Sequence, residues 1–232
     1  MNDDMNSKDF IIRIRNGSKA WYADNRRIDI LNKINLNISC GESIALIGPS
    51  GAGKSTLLHV LGLLTPLDEG ELWVDNVPIK HQGRLWDQEL RYQIGFIFQD
   101  AKLIPELTVL ENVCLPLAHR GIWPSRQKKM ARWELERVGL SERAKHRPNQ
   151  LSGGELMRVA IARAMVQNPR ILLADEPTGS LDSENGSRIA EQLFSMVGLD
   201  KVLIYATHNP SLSHMAKRQV HIKNGAIESH VV

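Results

Sequence analysis

The 232-residue chain contains no apolar run approaching the ~18 residues that a membrane span requires. Its longest, LLHVLGLL, reads as a buried helix, so the chain is expected to be soluble and any membrane role to come through a partner. It has only two cysteines, Cys40 and Cys114, with no second thiol or histidine at ligand spacing near either. That argues against a disulfide framework or a zinc site and fits a reducing compartment. The eight histidines are scattered and form no visible metal cluster. A net charge of +3 is too small to make nucleic acid the main expected partner. Repeats and low-complexity linkers are also missing. The opening MNDDMNSKDF is polar and acidic and lacks the apolar core of a signal peptide.

What remains is an ordinary globular composition, 42% hydrophobic and 24% charged, with enough chain for one large domain or two small ones. FIIRIRNG alternates around Ile12 and Ile14 and reads as a strand closed by Asn16-Gly17. ILNKINLNIS alternates through Ile30, Ile34, Leu36 and Ile38 to a turn at Cys40-Gly41. SIALIG, RILLAD and KVLIYAT are continuous apolar runs, as expected of strands covered on both faces in a parallel sheet. Helical patterns separate them, so the fold class is α/β. From about Gln99 to Val166 the pattern changes to loops and helices punctuated by Pro105, Pro116, Pro124 and Pro148, a helical insert in the α/β core. Within it, Arg126 to Arg147 carries eight Lys/Arg against three Glu. Such a stretch is a solvated helical face or a surface for phosphate backbones or anionic lipid.

Two segments have the chemistry of phosphate sites. GPSGAGKST, comprising Gly48, Pro49, Ser50, Gly51, Ala52, Gly53, Lys54, Ser55 and Thr56, matches the G-x-x-x-x-G-K-[ST] loop. A buried-type strand precedes it, and a helix through Leu57, Leu58, Leu61 and Leu64, ended by Pro66, follows. Glycines let backbone N–H groups wrap the phosphates; Lys54 neutralises β/γ-phosphate charge and Ser55 presents its hydroxyl to Mg²⁺. RILLADEP ends a strand with Asp175, placed to support Mg²⁺, and Glu176, placed to orient and deprotonate water. His208 follows another such strand, and if the sheet order brings it beside Glu176 it can contact the γ-phosphate and orient the water. Gln99, after FIF, offers an amide for Mg²⁺ or water. The second segment is LSGGELMRVAIARAM, where Ser152, Gly153 and Gly154 open a helix whose free N–H groups suit an anion.

In order, GPSGAGKST, FQD, LSGGE, ILLADEP, SLD and ATH resemble the nucleotide-binding domain of ABC-type ATPases, over about Phe10 to Glu228. The resemblance implies a P-loop NTPase (RecA-like) core, an N-terminal antiparallel β subdomain and an inserted α-helical subdomain. It implies a single domain over residues 1–232, with the α/β core at about 10–98 and 167–228 and the helical subdomain at about 99–166. By the same resemblance two chains pair head to tail, and Ser152, Gly153 and Gly154 hold the γ-phosphate of the partner's ATP. Asp182 then sits at the dimer seam, and Mg²⁺ is held by Ser55, Gln99 and Asp175. Trp21 or Tyr22, in KAWY, stacks on adenine, and the residues leave that choice open.

FQDAKLIPELTVLENVCLPL looks like the branch holding lipoprotein-releasing and macrolide-efflux ATPases and the cell-division ATPase near them. That implies a peripheral subunit on the cytoplasmic side of the membrane. Its partner would be an integral permease or mechanotransmission subunit, gripped around Gln99 to Val113. Leu156 and Met157 depart from the family's habit of two glutamines after LSGGE, and apolar packing within the insert explains them most simply. Two other classes fit less of the chain. A soluble ABC-type ATPase acting on nucleic acid or ribosomes would be expected to carry coiled-coil insertions or tandem domains. A small-molecule P-loop kinase leaves LSGGE and SLD without a task.

Overall fold

The structure is a computed structural model that describes residues 10–23, 26–79, 88–179, 181–196 and 200–231. The polar opening residues 1–9 and Ser180 of the GSLD motif lie outside the described residues. β1 (Phe10–Ala23) and β2 (Arg26–Ser39) form a long antiparallel pair, and β3 (Ser43–Ile47) runs toward α1 (Lys54–Leu61). β4 (Glu69–Val74) and β5 (Val77–Pro78) return to the first pair, giving a four-stranded sheet in the order β2-β1-β4-β5. Then come α2 (Gln88–Tyr92), β6 (Ile94–Ile97), α3 (Val109–His119), α4 (Pro124–Arg137) and α5 (Gly153–Met165). β7 (Ile171–Asp175), α6 (Ser183–Met196), β8 (Val202–Ala206), α7 (Pro210–Ser213), β9 (Arg218–Lys223) and β10 (Ala226–Val231) complete the chain. The second sheet has six strands in the order β10-β9-β3-β8-β7-β6, parallel except for the β9–β10 hairpin.

The continuous apolar runs follow from burial on both faces. Every residue of β7 and β8 is buried. Leu172, Ala174, Leu203 and Tyr205 face the helical layer, whereas Ile171, Leu173, Val202 and Ile204 face α1 and the first sheet. β3, β7 and β8 therefore end side by side, and their carboxyl ends form one edge where ligands of open α/β sheets bind.

Two expected boundaries moved. Asn16-Gly17 does not close β1; the ladder slips between Ile14 and Gly17, and the strand continues to Ala23. Asn16, at φ 48°, makes a bulge there. A Cβ on Gly17 would meet Ile14 Cγ2 at 2.6 Å, so the glycine serves close packing rather than a chain reversal. The helix behind the phosphate loop stops at Leu61, short of Pro66, because Leu63 turns into the left-handed region at φ 55° and leaves Leu64 exposed.

Asn112 is a fully buried polar residue in α3. Its Oδ1 accepts from the Ile104 amide at 2.7 Å, and its Nδ2 donates to the carbonyls of Ile104 and Thr108 at 3.0 Å. It thereby ties down the loop between Gln99 and α3. Asn112→Leu takes the acceptor from the Ile104 amide, while the carbonyls of Ile104 and Thr108 keep the amides of Leu107 and Asn112, and it is expected to cost roughly 1–3 kcal/mol. Urea unfolding checks this; an unchanged midpoint would contradict the assignment.

Candidate functional site

At the carboxyl edge of the parallel strands lies a polar cavity of about 400 Å³, lined by Ser50, Gly51, Gly53, Lys54, Ser55, Thr56, Gln99, Glu176 and His208, with Ile30 from β2. Ile30 alternates as a plain strand residue, and nothing in that pattern signals that it reaches the cavity. Gly53 holds φ 105° against the Ile30 carbonyl, where a Cβ would lie 2.7 Å away, so no larger residue fits that turn. Lys54 is buried, and its Nζ donates to the carbonyls of Gly48 and Pro49 at 2.9 Å each. Burial pushes its pKa down, opposed by the carboxylates of Glu176 and Asp175.

Asp175, the last residue of β7, is buried and accepts from Ser55 Oγ at 3.0 Å. Next to it, Glu176 adopts φ 46°, a strained conformation for a side chain of this size. That bend helps turn its carboxylate into the cavity, where His208 Nε2 lies 2.6 Å from Oε1. The parallel pairing of β7 with β8 puts the two residues side by side. Oxygen donors converge here: the Ser55 hydroxyl, the Gln99 amide and, behind Ser55, the Asp175 carboxylate. That set suits a hard divalent cation.

The LSGG turn lies elsewhere. None of Ser152, Gly153 and Gly154 lines the cavity. Ser152 caps α5 in a reciprocal capping box, accepting from the Glu155 amide at 3.3 Å while its own amide donates to Glu155 Oε2 at 2.9 Å. Gly153 faces Leu181, and Gly154 lies against Asn185 of α6. Asp182 accepts from the amides of Glu184 and Asn185 at 3.1 and 3.0 Å and from Asn185 Nδ2 at 2.6 Å. Its carboxylate thus caps α6 beside the LSGG turn.

The Ser152 backbone amide holds the Glu155 carboxyl below its ordinary 4.5, aided by Arg143 at 3.2 Å. A lowered folded-state value means the cap's contribution is complete above 4.5 and is lost as pH falls through the folded value. Protection of the amides in the first turn of α5, taken relative to their intrinsic exchange rates at each pH, is therefore expected to fall below pH 4.5, and Glu155→Gln to flatten that response.

Trp21 and Tyr22 do not line the cavity. Both are exposed, and they pair opposite Ile28 and Arg27, so they occupy opposite faces of the β1–β2 ladder. Met157 is buried and Leu156 packs beside it, in agreement with apolar packing within the helical layer. One connection carried no sequence signal. The Arg163 guanidinium, on α5, donates to the carbonyls of Ala101 and Lys102 at 2.6 and 2.7 Å. Both acceptor residues hold positive φ, at 58° and 47°, so the loop just after Gln99 is pinned to the helix that starts at the LSGG turn.

A protein-family model described as ABC transporter matches residues 31–179, which span the phosphate loop, the LSGG turn and the Asp175–Glu176 strand end. The chain belongs to the ABC transporter family. It is an ABC ATPase cassette. The cassette is 41% identical over 218 residues to the lipoprotein-releasing system ATP-binding protein LolD of Paramagnetospirillum magneticum, covering 93% of this chain and 96% of that one. It is 40% identical over 223 residues to the macrolide export ATP-binding/permease protein MacB of Bdellovibrio bacteriovorus, covering 94% of the cassette but 34% of MacB. Among solved structures it resembles the cassette MJ0796 of Methanocaldococcus jannaschii, a dimer in a post-hydrolysis state bound to ADP and Pi. That match has a TM-score of 0.86 at 38% identity and covers 95% of this chain and 97% of the other. No described helix of the cassette is long and apolar enough to cross a membrane.

Proposed function

We propose that the cassette closes head to tail on a second copy around ATP and that closure drives a separate integral membrane protein from its cytoplasmic side. One observation carries this reading. The cavity gathers Lys54, Ser55, Gln99, Glu176 and His208, while the LSGG turn lies outside it against α6. A second copy supplies such a turn to the open cavity, so the site is completed only on closure.

In this reading Gly48 to Thr56 cradle the β- and γ-phosphates, and Lys54 exchanges its carbonyl partners for phosphate oxygens. Mg²⁺, held by Ser55, Gln99 and Asp175, supplies charge neutralisation on those phosphates. Glu176 takes the proton of the attacking water, and His208 holds the Glu176 carboxylate in place. Ser152, Gly153 and Gly154 meet the γ-phosphate of the other copy's ATP, and Asp182 lies at the seam. Residues 99–166 move as a helical unit against the α/β remainder at 10–98 and 167–228, with Arg163 coupling Gln99 to the LSGG helix.

Trp21 is assigned to adenine because it shares a rung with Ile28, two residues before cavity-lining Ile30. Trp21→Ala is expected to weaken ATP binding about tenfold, whereas Tyr22→Ala leaves it nearly unchanged. Titration with a fluorescent nucleotide reads both, and the reverse order would transfer the role to Tyr22.

The work performed is lipoprotein or amphiphile release, or mechanical signalling across the membrane, as the likeness to LolD and MacB supports. Affinity purification of the tagged cassette from membranes is expected to bring down an integral protein with a large extracytoplasmic part. A clean dimer without one would contradict the membrane role.

A further inference from the structure

The basic run in the helical layer takes no part in the nucleotide site, and α4, which carries half of it, has an unusual outer face. Arg126, Lys129, Met130, Trp133 and Arg137 recur at intervals of three and four residues, so they form one stripe. Trp133 is 57% exposed, and Trp123, at the cap of the same helix, is 80% exposed. The stripe borders a cavity of about 710 Å³ with Val166 and Asn168 on its far side, sharing no residue with the nucleotide cavity.

Charge on this face is one-sided. α4 holds five Lys/Arg against Glu134 and Glu136. Glu134 lines the same cavity, buried, and is paired with Arg137 at 3.2 Å, which leaves Arg126 and Lys129 as the uncompensated cations of the stripe. Arg137 also lies 4.7 Å from the centre of the Trp133 ring, presenting cation and indole together. Lys201 adds a further cation at the edge, bound to Asn168 at 2.6 Å.

A face that merely meets water needs no indoles, and two large ones on one short helix signal a partner. Lysine is depleted at protein–protein interfaces, whereas lysine and arginine among interfacial tryptophans suit the headgroup region of a bilayer. We infer that the α4 stripe of Trp123, Arg126, Lys129, Met130, Trp133 and Arg137 is a contact for anionic phospholipid. The cationic rim takes headgroup phosphates while the two indoles enter the glycerol and upper acyl region, with Met130 packed beneath them. The cassette then meets the bilayer directly, in addition to any protein partner.

The test is flotation of the purified chain with vesicles of phosphatidylglycerol or of phosphatidylcholine, together with indole emission. Binding to the anionic vesicles is expected to exceed binding to the neutral ones at least tenfold, to fall with salt, and to blue-shift the emission. Each cation near such a surface multiplies partitioning about fivefold, so Arg126→Glu with Lys129→Glu is expected to reduce binding more than tenfold. Both residues are exposed and outside the nucleotide cavity, so ATPase activity should be unchanged. Trp123→Ser with Trp133→Ser should abolish the blue shift. Equal binding to both vesicle types, or a charge variant that binds as well as the parent, would overturn the inference. So would saturation of the same indole response by free glycerol phosphate, which would indicate a small-anion pocket. If the charge variant keeps vesicle binding but loses an integral partner on purification, the stripe is a protein interface and the inference also fails.

Discussion

Glu176→Gln is expected to lower ATP hydrolysis by at least about a hundredfold while leaving ATP binding intact. The amide keeps the size of the side chain and its reach into the cavity, but it takes no proton from water. His208 Nε2, 2.6 Å from Oε1, meets an oxygen or an amide of the same size at that place, so the local arrangement survives. With binding intact and turnover blocked, closed pairs should accumulate, and size-exclusion chromatography with ATP is expected to show a dimer that the parent chain shows only weakly. Turnover near the parent rate would remove Glu176 as the general base. The strained φ of 46° at this position makes Glu176→Gln a cleaner test than Glu176→Ala, because it disturbs the bend least.

Ser152→Arg is the second large effect. In its own chain Ser152 caps α5, and loss of that cap costs about 1 kcal/mol of stability. The proposed larger cost falls on the other copy, whose γ-phosphate meets a bulky side chain where a hydroxyl and free N–H groups should be. Hydrolysis is expected to fall at least about a hundredfold, the range seen when donors to developing phosphate-like charge are removed. ATP affinity of the isolated monomer should not change, since no LSGG residue lines its cavity. Ser152→Ala serves as the control for the cap: it loses the same hydrogen bond from the Glu155 amide without adding bulk, so it should keep far more activity. Equal loss in both variants would make Ser152 a structural residue only.

Much of this architecture was legible in the residues because simple periodicities carried it. SIALI, ILLAD and VLIYA gave themselves away by lacking alternation, and the structure buries ILLAD and VLIYA completely. The pairing of β7 with β8, which joins Glu176 to His208, is a long-range fact that neither segment states alone. Local rules misread Asn16-Gly17, whose turn chemistry makes a bulge because β2 keeps pairing with the chain beyond it. The rule for Pro66 likewise placed the end of α1 too late; the positive φ of Leu63 ends it first, and no local pattern forecasts that. Arg163 and Asn112 were invisible for a different reason. Each is one of several polar residues in its helix, and its meaning lies in the backbone of a loop that tertiary contact brings to it. Ile30 reached the cavity for the same reason.

The most direct measurement of the central claim, that each active site is shared by two copies, mixes two inactive variants. Lys54→Ala destroys the phosphate loop, and Ser152→Arg destroys the turn offered in trans. A heterodimer of the two holds one site with both defects and one site with neither. At equal mixing, with sites acting independently, about a quarter of parental ATPase activity should return. Separate affinity tags on the two variants establish that heterodimers have formed. No recovered activity in a preparation where tagged heterodimers are present would contradict the shared site.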